Sequence, residues 1–194
     1  MFQAIWSLMI LTVPFSNDGF SAEPDKLAQE KMAGVKTNVG HYVAIDGRGD
    51  LEELACLDEP AVRGVNIRYS WAKLEPEKDQ YDFTSIRKDL DTVAAHNKQL
   101  VVFLTDKSFG PGVKPLQKYM KDYALPGKKG GVSPKRWDPE FVDRIVALVR
   151  ALGREFDQHP NLEGIAFQES APSLTADVLE KTDYTPEKYR DALK

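Results

Sequence analysis

The 194-residue chain reads as an α/β protein built on a parallel sheet. Three observations point there. β-prone runs alternate with amphipathic helical segments downstream of Gly40, the order expected of parallel strands joined by crossover helices. The run Leu100 to Thr105 (LVVFLT) is apolar throughout, as suits a parallel strand covered on both faces. Two helices open with a capping residue followed by proline, Asp138-Pro139 and Thr185-Pro186. In each, the side chain accepts from free backbone amides and proline takes the first helical position.

The elements follow in order. His41 to Ile45 is a first short strand closed by Asp46-Gly47. Asp50 can cap a short helix from Leu51 to Leu57. Val62 to Tyr69 is the second strand. Phe83, Ile86, Leu90, Val93 and Ala94 recur at helical spacing. After the third strand comes a Gly-, Pro- and Lys-rich stretch from Asp106 to about Arg136. Phe141, Ile145, Leu148, Val149, Leu152 and Phe156 form the apolar stripe of the next helix, and Leu162 to Phe167 is the fourth strand. Tyr189 and Leu193 begin a last stripe. No internal repeat or low-complexity segment is visible.

Composition narrows the function. A formal charge of −4 gives no reason to expect a nucleic-acid partner. Cys56 is the single cysteine, so no intramolecular disulfide can form; its place in Leu54-Ala55-Cys56-Leu57 predicts a buried structural thiol. Ala4 to Phe15 is apolar and as long as a signal-peptide core, well short of the roughly 20 residues of a membrane span. Gly19-Phe20-Ser21-Ala22 offers small residues for cleavage after Ser21 or Ala22. The preceding residues lack Lys and Arg, so a buried N-terminal helix is the alternative. The expectation is export, with residues 1–22 removed, a secreted or periplasmic location and no membrane anchor. Residues 23–194 then form the folded part.

In parallel α/β folds, chemistry sits at the C-terminal ends of strands. The fourth strand ends in Phe167-Gln168-Glu169-Ser170. A carboxyl group there can protonate a leaving glycosidic oxygen, and an adjacent amide can hold the sugar; a second carboxylate must act as nucleophile or base. A solvated loop carboxylate is the plainer reading of the same dipeptide.

The second strand is followed by Trp71-Ala72-Lys73-Leu74-Glu75-Pro76 and then Tyr81-Asp82-Phe83. W-x-x-L-E-P, a turn and Y-D-F resemble the corresponding region of clan A glycoside hydrolases, the β-galactosidase-like and cellulase-like (β/α)8 TIM barrels. The resemblance spans roughly 62–169. It implies a retaining glycosidase cleaving O-glycosidic bonds of an oligo- or polysaccharide. It makes Glu169 the acid/base that ends strand four, with Gln168 in place of the family's Asn. It likens Arg68 to a strand-two arginine of some members, at a different spacing to Trp71. The family's nucleophile ends strand seven, which this chain does not contain.

A complete barrel needs about 250 residues. About four βα units are present, so the chain is expected to be the N-terminal half of such a barrel, with a C-terminal half as its partner. A half barrel standing alone would leave strand edges unpaired.

Other residues divide between roles. Trp71 is core or a sugar platform. Asp106 and Lys107, at the third strand's end, contact substrate or form a salt-bridged pair. Glu75, Tyr81 and Phe83 read as structural, and Trp137 as packing beneath the long loop. That loop carries Lys107, Lys114, Lys118, Lys121, Lys128, Lys129, Lys135 and Arg136, either a rim for an acidic polysaccharide or a solvated surface. Glu163 starts the fourth strand and His41 the first, both at the wrong end for catalysis. His96 and His159 share no ligand spacing and lie near helix ends. Gly127 to Gly131 does not link a strand to a helix, and Ser170 has no His partner. No metal and no cofactor is expected. The competing functions are a carbohydrate-binding protein without turnover and an unrelated barrel enzyme. A second carboxylate about 5 Å from Glu169 separates catalysis from binding.

Overall fold

The computed structural model describes residues 38–45 and 51–194. The leader, Asp46-Gly47 and the Asp50 cap lie outside the described residues. Four parallel strands make the main sheet: β1 (His41–Ile45), β2 (Val62–Ser70), β3 (Gln99–Thr105) and β6 (Leu162–Phe167), in the order β1-β2-β3-β6. Sequential strands are therefore spatial neighbours, and β6 is the fourth strand of the sequence reading. The helices are α1 (Trp71–Leu74), α2 (Thr84–Ala95), α3 (Pro139–Phe156), α4 (Ala176–Leu179) and α5 (Pro186–Ala192).

Strand alternation decides which face is covered. Val65, Ile67 and Tyr69 of β2 and Leu100, Val102 and Leu104 of β3 are buried with Ile86, Leu90 and Val93 of α2 and Leu148 and Leu152 of α3. Burying each such side chain contributes roughly 1.5–3 kcal/mol. Residues of opposite parity, Asn66, Arg68, Val101, Phe103 and Thr105, are only half-buried or exposed. The third strand therefore has one covered face, where an unbroken apolar run predicts two. Gly64 lets the strands approach: a Cβ there would lie 2.3 Å from the Gln99 carbonyl oxygen and 2.6 Å from the Tyr42 ring.

Both Pro-led helices start as the sequence implies. Asp138 accepts from the amides of Glu140 at 2.9 Å and Phe141 at 3.4 Å, and Thr185 Oγ1 accepts from Lys188 N at 3.1 Å. Two regions differ from expectation. The helix expected over 51–57 is two 3-10 turns, Leu51–Glu53 and Ala55–Leu57, and Cys56 is half-buried against the core. The long loop contains a 3-10 segment, Lys118–Tyr123, and an antiparallel hairpin, β4 (Ala124–Pro126) with β5 (Val132–Pro134). Gly127 to Gly131 is the turn of that hairpin. Trp137 joins Leu174 and Tyr189 in a second, smaller core, with Leu125 of β4 packed against it.

Among the described residues, no strand pairs with the outer side of β6. Phe167 is 46% exposed and borders an apolar trough of about 610 Å³ with Ile145 and Val149 of α3 and Leu193. No helix among the described residues is long and apolar enough to cross a membrane.

Candidate active site at the ends of the third and fourth strands

The C-terminal ends of β3 and β6 meet in one hydrogen-bonded cluster. Gln168 follows β6, and its Oε1 accepts from the amides of Asp106 at 3.1 Å and Lys107 at 3.0 Å. The Gln168 carbonyl oxygen of the side chain thus ties the two strand ends together instead of being open to a sugar. Asp106 and Lys107 do not pair with each other, contrary to the salt-bridge alternative. The Asp106 carboxylate is gripped by Arg136, through Nε at 2.8 Å and also through Nη2. Their side chains are only 8% and 10% exposed, so Asp106 acts as an anchor for the long loop. Arg136 Nη1 also donates to the Glu169 carbonyl oxygen at 2.6 Å.

Lys107 is more deeply placed. Its side chain is 1% exposed, and Nζ lies 2.9 Å from Glu169 Oε1. The same ammonium donates to the carbonyl oxygens of Ala171 at 2.8 Å and Glu169 at 3.3 Å. Lys107 therefore faces protein, not solvent. Glu169 itself is 52% exposed at the mouth of the sheet. The Lys107 hydrogen bond holds its carboxyl below the ordinary glutamate value. A general acid needs the opposite shift, so Glu169 stands here as a carboxylate.

Trp71 is core. It is 1% exposed, packs edge-on against Phe141 at 5.3 Å, and donates from Nε1 to Glu75 Oε2 at 2.8 Å. A ring so enclosed presents no face to a sugar. Glu75 is fully buried and bound by Arg144 and by the Asp79 amide at 2.9 Å. Tyr81 stacks on Phe83 at 5.5 Å beside the start of α2. Arg68 is exposed on the uncovered face, its guanidinium 5.6 Å from the Phe103 ring. Glu163 lies at the opposite end of β6, with Oε2 accepting from Asn38 at 2.8 Å. His96 contacts Asp58 at 3.2 Å, and His159 Nδ1 accepts from Asn161 N at 3.2 Å.

Two members of the cluster were not picked out individually from sequence. Arg136 carried only the signal of a basic loop, and its partner lies 30 positions away. Tyr189, whose hydroxyl donates to the Ser170 carbonyl oxygen and so ties α5 to the β6 end, looked like an ordinary helix-stripe residue.

No protein-family model matches the chain, and no curated protein matches it. Solved structures do. GH5_18 from Bifidobacterium longum subsp. longum aligns with TM-score 0.53 at 15% identity, over 74% of this chain and 33% of that one. A variant of the same protein in complex with Manb1-4GlcNAc gives 0.52 at 15% identity, over 74% and 32%. A β-galactosidase from the Antarctic haloarchaeon Halorubrum lacusprofundi gives 0.49 at 15%, over 68% and 21%. The chain spans a third or less of these proteins. What is shared at this identity is the fold: a mixed α/β architecture like that of glycoside hydrolases, built here on a parallel sheet of four strands.

Proposed function

We propose that this chain is the N-terminal half of an exported (β/α)8 glycoside hydrolase, cleaving O-glycosidic bonds of an oligo- or polysaccharide with retention, and that Glu169 is its acid/base. The observation that carries the reading is the position of Glu169. It is a half-exposed carboxylate at the C-terminal end of the fourth parallel strand, in a glycoside-hydrolase-like fold. The open edge of β6 and the trough beside Phe167 fit a following strand and helix, so a C-terminal half is the proposed partner. That half supplies the nucleophile. In the first step Glu169 gives its proton to the leaving oxygen while the nucleophile bonds to the anomeric carbon; in the second it takes a proton from water as that bond breaks.

The depressed Glu169 value bears on this cycle. A nucleophile carboxylate about 5 Å away would push the Glu169 pKa up against the pull of Lys107. Without that neighbour the site is set for the ionised form. The same fact favours the second reading, a carbohydrate-binding protein without turnover. The test is Glu169→Gln in the complete protein. Turnover of substrates with poor leaving groups should fall about 10²–10⁴-fold. Unchanged turnover removes Glu169 from the reaction.

A further inference from the structure

Just beyond Lys107, the loop over the strand ends carries an apolar rim. Phe109 is 52% exposed and Val113 60%, and Gly110-Pro111-Gly112 between them bring no charge and no side-chain donor. A single exposed apolar residue needs no explanation, but this ring has a fixed place. Ser108 pairs with Val132 of β5 in both directions. Its amide donates to the Val132 carbonyl oxygen at 2.9 Å, and its carbonyl oxygen accepts from the Val132 amide at 3.2 Å. Ser108 Oγ accepts from the same amide at 3.0 Å. Gly131 permits this approach, because a Cβ there would run into the Ser108 carbonyl group. The backbone leading into Phe109 is therefore pinned to the hairpin, and the fold itself holds the ring in water.

The neighbours of the ring place it beside the candidate catalytic carboxylate. Lys107 Nζ lies 5.3 Å from the Phe109 ring centroid and 2.9 Å from Glu169 Oε1. Ring and carboxylate thus border one sealed ammonium, and both reach solvent. At the other end of the rim, Val113 joins Ser70 and Thr105 in the lining of a cavity of about 740 Å³. The rim therefore runs from that cavity towards Glu169.

We infer that Phe109 is a stacking platform for a neutral pyranose unit of the substrate, the unit next to the one held at Glu169. The face of an aromatic ring is electron-rich, and a pyranose offers it a face of C–H groups carrying slight positive charge. Stacking takes both surfaces out of water. It asks no hydrogen bond of rim side chains that have none to give. A ring already fixed by its backbone also gives up little freedom on binding. The inference deepens the hydrolase reading and rests on it for the neighbouring unit at Glu169; the stacking itself stands on the ring and its setting.

The experiment is an NMR titration of the chain, ¹³C-labelled in its phenylalanine rings, with cellobiose and with lactose. The Phe109 signals are assigned by their loss in Phe109→Leu. At least one disaccharide should shift those signals, and saturating the aromatic protons should pass magnetisation to the C–H protons of one pyranose face. Phe109→Ala and Phe109→Leu should weaken binding about tenfold, and Phe109→Trp should keep or tighten it. Urea midpoints near the parent's check that these exposed substitutions leave the fold intact. No binding, binding that leaves the Phe109 signals unmoved, or equal affinity in Phe109→Leu overturns the inference. The readout is binding, so it is separable from catalysis. A chain that stacks a sugar on Phe109, in a protein that loses no turnover on Glu169→Gln, keeps the platform and loses the hydrolase assignment. A protein that hydrolyses glycosides through Glu169 with KM and kcat indifferent to Phe109→Leu does the reverse.

Discussion

Glu75 and Glu169 are both carboxylates paired with a cation, and the contrast between them separates scaffold from site. Glu75 is fully buried, and its partner Arg144 is 14% exposed. Trp71 Nε1 and the Asp79 amide take its remaining acceptor sites. Every group around it belongs to the protein, and it joins α1 to α3. Glu169 reverses the arrangement: the cation Lys107 is the sealed partner at 1% exposed, and the carboxylate reaches solvent at 52%. A sealed carboxylate with its partners complete holds elements together. An open carboxylate aimed by a sealed cation is available to a ligand. Glu75 is locked among an indole, an amide and a guanidinium, whereas the Glu169 carboxylate meets the Lys107 ammonium.

The sharpest way to break the contrast is to remove the cation from the buried pair. Arg144→Met should destabilise the protein by roughly 3–5 kcal/mol, because Glu75 is left charged and unpaired in the core. Urea unfolding of the parent and the variant measures this. A loss below about 1 kcal/mol would mean that the Arg144 pairing does not hold Glu75 in the core, and the distinction from Glu169 would fail.

Removing the cation from the open pair should cost less and read out differently. Lys107→Met deletes three donor contacts, to the Glu169 carboxylate and to two carbonyl oxygens. The Glu169 carbonyl oxygen keeps its Arg136 donor, and the Ala171 carbonyl oxygen loses that of Lys107, so the cost is about 1–3 kcal/mol. The Glu169 pKa should rise from its depressed value to the ordinary glutamate range or above, followed by ¹³C NMR of the carboxyl carbon against pH. An unmoved titration would show that Lys107 does not set the charge of Glu169.

Much of the scaffold was legible because its causes are local. Asp138-Pro139 and Thr185-Pro186 fix helix starts through contacts two or three residues away, and the stripe from Phe141 to Phe156 places α3 against the sheet. The segment 51–57 was less legible: its apolar residues suit any short helical turn, and 3-10 turns form where seven residues cannot sustain an α-helix. The position of Glu169 was readable from strand order alone. The cluster around it was not, because Asp106–Arg136 and Lys107–Glu169 close over 30 and 62 positions. Sequence placed Asp106 and Lys107 at a strand end but could not say that the first grips Arg136 and the second faces inward. Trp71 shows the same limit: its spacing to Glu75 suits one helical turn, and only packing against Phe141 decides that the ring is enclosed.

The smallest effect on stability belongs to Glu169 itself, and it is the most telling. The carboxylate is half-exposed and Lys107 keeps two carbonyl acceptors without it, so the charge contributes under about 1 kcal/mol and Glu169→Gln should unfold at nearly the parent's urea midpoint at pH 7. Its pH dependence has a definite sign. The folded value is depressed relative to the unfolded chain, so the pair's contribution is present above the ordinary glutamate range. It fades as pH falls through the lowered folded value, where both states carry the proton. The parent's small advantage over Glu169→Gln should therefore shrink on acidification and be absent once the carboxyl is protonated. Paired urea titrations at pH 7 and in acid measure it. An advantage that grows in acid would mean that burial, not Lys107, governs the group. A stability loss near that of Arg144→Met at neutral pH would move Glu169 into the scaffold beside Glu75, and the strand-end carboxylate would no longer be free to serve a ligand.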